Sequence, residues 1–277
     1  MMNASELFHA GQLKDAIAAQ IAKVKASPTD QPARFFLFEL FLFSGDLDRA
    51  RKQLDVLKYD DPKHSAAIAQ YRFALEAEAK RREVFAGIGE PKGLTAVVEH
   101  IPLRLEGLAL LARGEHAEAR KKFDAANAIT PALTGAINGQ PFEGLVDADE
   151  RFGTIIEVFG AGGVYSWVPL EAIQSITLNP PTAPRDILLR PAQIVLTDGM
   201  QGDVFLPGLY PNTFAQPDEE LTLGRATDWT DEENTVSCGI GGRIYKNGAG
   251  TLFPMLNILQ IIRPDAAELT PSDAPAD

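Results

Sequence analysis

The chain is poor in the residues that staple or anchor a protein. Among its 277 residues there is one cysteine, Cys238, so no internal disulfide framework can form, and a reducing compartment suits it. The most apolar stretch, Phe35–Phe43, is nine residues long and is interrupted by Glu39. A bilayer-spanning helix needs about 20 apolar residues, so membrane insertion is not expected. No basic stretch followed by an apolar run opens the sequence, so no signal peptide is expected and the expected location is cytoplasmic. Histidine is confined to His9, His64, His100 and His116, no two of them at a ligand spacing such as i, i+4; neither a metal nor a cofactor is expected. Positive charge is scarce in the second half. Residues 141–277 hold 7 Lys and Arg against 20 Asp and Glu, a balance of −13, whereas residues 1–140 hold 19 against 18. An acidic half of this kind has no attraction for phosphate backbones, which disfavours nucleic acid as a partner. It serves solubility or attracts a basic protein surface.

What the first half does contain is a repeated frame: a Gly, an Ala five residues on, and a Pro seventeen residues on. It occurs as Gly11/Ala16/Pro28, Gly45/Ala50/Pro62 and Gly114/Ala119/Pro131. The first two copies are 34 residues apart and the third follows by 69, close to two periods. A 34-residue period is that of the tetratricopeptide repeat, a helix–turn–helix unit that stacks on its neighbours and builds peptide-holding grooves. The Gly tolerates the left-handed backbone where one helix ends, the Ala lets two helices cross closely, and the Pro follows the second helix and stops it. Leu37, Phe41 and Leu54 in the second unit and Gly107, Phe123 and Ala126 in the fourth agree with the pattern. The third unit is degenerate: Lys63–Phe85 reads as one long helix, followed by the loop Gly87–Gly93 and a helical piece that Pro102 interrupts or restarts. Two regular hairpins, an irregular middle and a final hairpin at about 103–130 are therefore expected. The stretch RFFLFELFLF, 34–43, is apolar all round except at Arg34 and Glu39, so Glu39 should be buried and paired, with Arg34, Arg72 or Arg104 as candidates. Arg34, Phe38 and Glu39 are also the candidate groove residues of this half.

From about Asp147 the composition turns to Gly, Pro and β-branched or aromatic residues. Strands are expected near Thr154–Phe159, Val164–Val168, Ser175–Leu178, Ala192–Thr197, Asp203–Leu206, Thr235–Cys238, Arg243–Lys246 and Asn257–Ile262. Asp198-Gly199 is a hairpin turn, and Pro169–Ile173 is one helical turn started by Pro. The expected fold is thus α+β: a tetratricopeptide-like helical superhelix over 1–140, a β-rich domain over 147–263 forming a small barrel or curled antiparallel sheet, and an acidic tail, 264–277, expected to be disordered. Chemistry in the β half has little to work with. It has no histidine, no Gly-x-Ser-x-Gly elbow and no Walker loop, and Gly239–Gly242 reads as a tight turn. Arg185, Asp186, Arg225 and Asp228, with Trp167, Tyr210 and Trp229 in neighbouring stretches, could line a pocket or form an internal network and core.

Five strings resemble one family in the right order: LFELFLFSGDLDRARKQL (37–54), YSWVPLEAI (165–173), RDILLRPA (185–192), DGMQGDVFLPGLY (198–210) and LTLGRATDW (221–229). Together they are similar to the ImpE/SciE proteins, also called TagJ, encoded with bacterial type VI secretion systems. The resemblance spans about residues 5 to 262. It implies a cytoplasmic, non-enzymatic accessory protein associated with the short N-terminal helix of the small sheath subunit and with the ATPase that recycles contracted sheath. It carries over no catalytic residues. Two other readings stand beside it: a small-ligand or hydrolytic protein using an Arg/Asp/aromatic pocket in the β half, and a β half whose main task is to hold the helical half in one shape.

Overall fold

The computed structural model of the chain describes residues 2–95, 98–230 and 236–264. Its first part is helical: α1 (Ala4–His9), α2 (Leu13–Ala26), α3 (Gln31–Phe43), α4 (Leu47–Val56) and α5 (Pro62–Phe85), then a two-residue strand β1 (Lys92–Gly93), α6 (His100–Ala112) and α7 (His116–Ile129). The repeat frame explains the hairpins. Gly11, Gly45 and Gly114 all have positive φ at the end of a first helix, and Ala16, Ala50 and Ala119 are fully buried where the second helix crosses it. Helix starts are fixed by side-chain caps: Asn3 and Glu6 form a reciprocal capping box on α1, and Asp30, Asp46 and Asp61 accept from first-turn amides of α3, α4 and α5. Pro62 differs from its expected role. It does not end α4, which stops at Val56, but opens α5, where its fixed φ and missing N–H cost nothing.

The second part is strand-rich: β2 (Thr134–Ile137), β3 (Gln140–Glu143), β4 (Val146–Asp147), β5 (Ile155–Gly160), β6 (Val164–Pro169), β7 (Ile173–Leu178), the short helix α8 (Arg185–Leu188), β8 (Leu189–Leu196), β9 (Gln201–Pro207), the short helix α9 (Glu219–Thr222), β10 (Thr227–Thr230), β11 (Cys238–Gly241), β12 (Ile244–Lys246), β13 (Leu252–Pro254) and β14 (Gln260–Ile262). Nine strands form one sheet in the order β1-β6-β5-β9-β8-β7-β14-β2-β3, antiparallel except where β1 joins β6. The sheet has two edges, β1 and β3, and so is open rather than a closed barrel. Smaller sheets, β10-β11 and β13-β12-β4, pack around it. The Asp198-Gly199 turn joins β8 to β9, and a single 3₁₀ turn, Leu170–Ala172, follows Pro169, both as expected. The strand-rich part begins earlier than the composition suggested, with the β2–β3 hairpin around Asn138-Gly139. Gly239–Gly241 is strand rather than turn, and Gly239 is there because the Tyr210 ring lies where a β-carbon would be. Thr235 and the acidic tail beyond Pro264 lie outside the described residues.

Alternation along β5 separates two cores. Ile155 and Phe159 face the helices and share a core with Phe38, Phe41, Leu75 and Val84, while Ile156 and Val158 face away and pack with Ile176, Ile194, Tyr245 and Phe253. The molecule is therefore layered, with helices on one face of the large sheet and the three-stranded sheet on the other. The helical layer is fused to the sheet rather than tethered. Glu219 caps α2 by accepting from Leu13 N at 2.7 Å, and the Phe214 ring stacks under the Arg82 guanidinium at 3.9 Å. Arg104 of α6 is fully buried and donates to Asn127 Oδ1 (2.8 Å), Thr130 Oγ1 (3.0 Å) and the Glu150 carbonyl (3.2 Å). Burial lowers its pKa to about 10. Gly153, at φ +59°, lies directly over that guanidinium and leaves no room for a β-carbon.

Gly153→Ala should lower unfolding stability by about 2–4 kcal/mol, because it adds both left-handed strain and a clash with a buried cation. Denaturant unfolding of the two proteins measures it. Gly139→Ala, equally left-handed but with open space around it, should cost only about 1 kcal/mol.

Candidate functional site

The residues singled out in the sequence do not converge on one place. Glu39 is buried as expected, but its partner is none of the three candidate arginines. Arg34 donates to the Pro28 carbonyl and Gln53, Arg72 to Asp55 and the Leu54 carbonyl, and Arg104 is held as described above. Glu39 accepts instead from Arg185 of α8, at 2.6 Å. Arg185 also donates to the Tyr71 hydroxyl at 2.7 Å and lies 5.0 Å over the Phe35 ring. Burial pushes the Glu39 carboxyl up, and Arg185 opposes that rise. The pairing could not be read locally because the two residues are 146 positions apart. Phe38 is fully buried and packs against Phe35 and Tyr71.

The β-half candidates are likewise engaged internally. Asp186 closes its own loop by accepting from Thr182 N (2.8 Å) and Ala183 N (2.9 Å). Arg225 donates to the Phe8 carbonyl at 2.7 Å and to Glu220 at 3.3 Å. Asp228 is exposed and accepts from Trp229 N, and the Trp229 ring packs 5.7 Å from Tyr210. Arg225, Asp228 and Trp229 thus take separate partners, and among the described residues no cluster of His, Cys, Asp or Glu is arranged to hold a metal.

Trp167 and Tyr210 lead instead to a buried network that sequence reasoning missed. Trp167 Nε1 donates to the Tyr165 hydroxyl (2.6 Å), which donates to Glu157 Oε1 (2.5 Å). Arg81 of α5 grips both Glu157 oxygens, at 2.8 and 2.7 Å, and donates also to the Leu209 carbonyl. Arg243 bonds Glu157 from the other side and reaches Asp147 at 3.0 Å, and the Tyr210 hydroxyl donates to Asp147 at 3.0 Å. Burial pushes the Glu157 carboxyl up, but Arg81 and Arg243 outweigh it and hold the group at about 2. Asp147 goes the other way: burial and neighbouring Asp149 raise it against the pull of Arg243. The adjoining cavity is about 40 Å³, room for water and not for a substrate. No single residue here signals its role in sequence, because each charge is drawn from a different element.

The inner face of the repeat, where stacked hairpins usually hold peptides, is covered by the chain's own second half. Phe35, Glu39 and Tyr71 meet Arg185 and Phe205, Arg81 meets Glu157, and Phe85 meets Phe152 and Trp167. One opening lies at the broken third repeat. α5 runs for 24 residues, longer than a repeat helix, and ends at Phe85, with Gly87 just beyond packed tightly on Ala112 of α6. The chain then detours through β1, pairing Lys92 with Ser166 and Gly93 with Trp167, before α6 begins. The detour leaves a cleft of about 750 Å³ between the end of α5, the 87–93 loop and α6. Val84, Leu108 and Trp167 are buried in it, Ile101 and Leu105 line it, and Glu90, Lys92 and Glu106 stand at its rim. Ile88 overhangs it, 79% exposed. An apolar trough with a charged rim is the form that accepts the apolar face of a helix. The sequence signal was the degenerate third unit, with its one long helix over Lys63–Phe85, which marked the region without showing that it opens.

Glu157→Gln should destabilise the protein by about 3–5 kcal/mol, since two buried guanidinium groups lose their shared counter-charge. The sign with pH follows from the lowered pKa: the Glu157 contribution is present above its ordinary value of about 4.5 and is lost as pH falls from there towards 2. Denaturant midpoints of the wild type should fall steeply over that range, and those of the variant should fall less.

Comparison with known proteins places these features in context. The sequence profile of the family described as ImpE protein matches residues 139–262. A tetratricopeptide repeat profile matches residues 7–77 and stops within α5, where the repeat breaks. The type VI secretion system accessory component TagJ of Pseudomonas aeruginosa is 36% identical over 254 residues, covering 90% of this chain and 87% of its own length. A crystal structure of a protein from Vibrio parahaemolyticus superposes with a TM-score of 0.87 at 22% identity, over 96% of this chain and 99% of that one, and so has the same fold.

Proposed function

The chain belongs to the ImpE family, that of the type VI secretion accessory component TagJ, and on that premise we propose that it is a non-enzymatic adaptor of the secretion machine, acting in the cytoplasm. Its partner is the small subunit of the contractile sheath, held through that subunit's N-terminal helix. The observation that carries this reading is the apolar cleft at the break in the repeat. Helix-in-groove recognition rests on a few apolar anchors and a polar rim, and Leu105, Leu108 and Trp167 supply the floor while Glu90, Lys92 and Glu106 supply the rim. The usual inner face of the repeat is filled from within the chain, so the partner takes the cleft and leaves the two halves together. An adaptor of this kind can present the sheath subunit to the ATPase that recycles it without contributing a catalytic group of its own. The ligand or hydrolase alternative draws no support from Arg185, Asp186, Arg225 and Asp228, which bond other side chains or main-chain groups of the protein. No helix among the described residues is long and apolar enough to cross a membrane.

A fluorescently labelled peptide of the sheath subunit's N-terminal helix should bind with an affinity nearly independent of salt, since the contact is apolar. Ile88→Asp should weaken it at least about tenfold without changing the melting temperature, because the side chain is exposed in the free protein. Fluorescence anisotropy gives both numbers. Unchanged affinity in that variant, or full binding of a sheath subunit lacking the helix, would overturn the proposal.

A further inference from the structure

A second cleft lies where α5 crosses the large sheet without covering it. In the sheet, Thr177 of β7 pairs with Gln193 of β8, and Gln193 pairs with Asp203 of β9. Residues in register share a face, so these three side chains form one row across three strands. Two positions along, Pro191, Phe205 and Phe159 form the next row, extended by Asn179. Tyr71 of α5 stacks on Phe205 at 5.7 Å and covers one end of that row. Gln70 and Phe73 of the same helix then stand as a wall beside the uncovered part, Phe73 being 39% exposed. The space enclosed is about 670 Å³.

Its chemistry is distinctive. The side chains of Gln70, Thr177, Asn179, Gln193 and Asp203 make no hydrogen bond or ion pair with the described residues of the protein. Carboxamides and a hydroxyl both donate and accept, which matches the alternating N–H and C=O groups of a main chain. Asp203 is the charged residue of the lining, and no Lys, Arg or His joins it. An anionic ligand would meet repulsion there and a cationic one attraction, reinforced by the −13 balance of the second half. The aromatic rings suit the aliphatic stem and the charged head of a long basic side chain. Adjacent strands are about 4.8 Å apart, so the row from Thr177 to Asp203 spans about 10 Å, the length of about three extended residues.

We propose that this cleft binds an extended peptide segment through its main chain, with an arginine or lysine side chain seated against Asp203 and Phe73. The carboxamides of Gln193, Asn179 and Gln70 hold the peptide groups, and Asp203 selects the charge. The site is separate from the helix-binding cleft between α5 and α6, and it does not depend on the reading given to that cleft.

The test is an NMR titration of the full-length isotope-labelled protein with acetylated, amidated five-residue alanine peptides carrying arginine, glutamate or alanine at the centre, and with a neutral disaccharide. The arginine peptide should shift the side-chain amide signals of Gln70, Asn179 and Gln193 saturably. Asp203→Asn and Phe73→Ala should each weaken that binding at least fivefold with the melting temperature unchanged, as both side chains are exposed. Asp203→Asn should also leave binding of the sheath helix peptide unaltered, which separates a failure here from a failure of the adaptor reading. An equal response to the glutamate or alanine peptide, saturation by the disaccharide alone, or no shift at these amides would overturn the proposal.

Discussion

A carboxylate can lie in the middle of a protein only if positive charge lies with it, and Glu157 is the group around which this molecule is organised. It sits on β5, an interior strand of the large sheet, with both oxygens gripped by Arg81 and a second cation, Arg243, on the far side. Removing any one of the three would leave an uncompensated charge in a low-dielectric interior, at a cost of several kcal/mol. Because Arg81 belongs to the long helix α5 and Glu157 to the sheet, that requirement fixes the helical layer against the strands. Arg185 with Glu39, Arg104 beneath Gly153, and Arg225 on the Phe8 carbonyl repeat the arrangement at lesser scale. Each is a cation from one part of the chain held by acceptors from another.

This fusion sets what the repeat can do. A free superhelix of hairpins offers its inner face to a peptide. Here that face belongs to the same core as the sheet, so the chain supplies its own permanent occupant. The reading in which the β half holds the helical half in one shape agrees with those contacts. Two open clefts lie where the two layers fail to meet. One is the detour around β1, where α5 overshoots the repeat period. The other is the uncovered end of the sheet beside Phe73. The first carries charges of both signs at its rim and the second a single carboxylate among carboxamides and aromatic rings, so the two would select different chemistries.

Much of the architecture was legible because its causes are local. The Gly–Ala–Pro frame reports turn, crossing and exit within one hairpin, and the structure shows positive φ and full burial at those positions. Asp198-Gly199 reports a turn through its own backbone preference. The short strands β2, β3, β10 and β13 were not legible, since three- and four-residue segments rich in Gly, Pro and Thr are strands only when a neighbour pairs with them. Glu39 shows the boundary clearly. Its burial followed from the apolar residues around it, but its partner lay 146 residues away and nothing on its own helix pointed there. Arg225, Asp228 and Trp229 show the converse, being close in sequence without forming a common site.

The sequence by itself determined the repeat and its break, the expectation of a strand-rich second half, the acidity of that half and the family resemblance, because each is written in spacing or composition over a few tens of residues. Tertiary structure alone decided which charges meet, that the sheet stays open, that the inner face of the repeat is filled, and where clefts remain. These are outcomes of long-range packing. A buried charge must find its counter-charge wherever the fold brings one within reach, and no local pattern records that encounter.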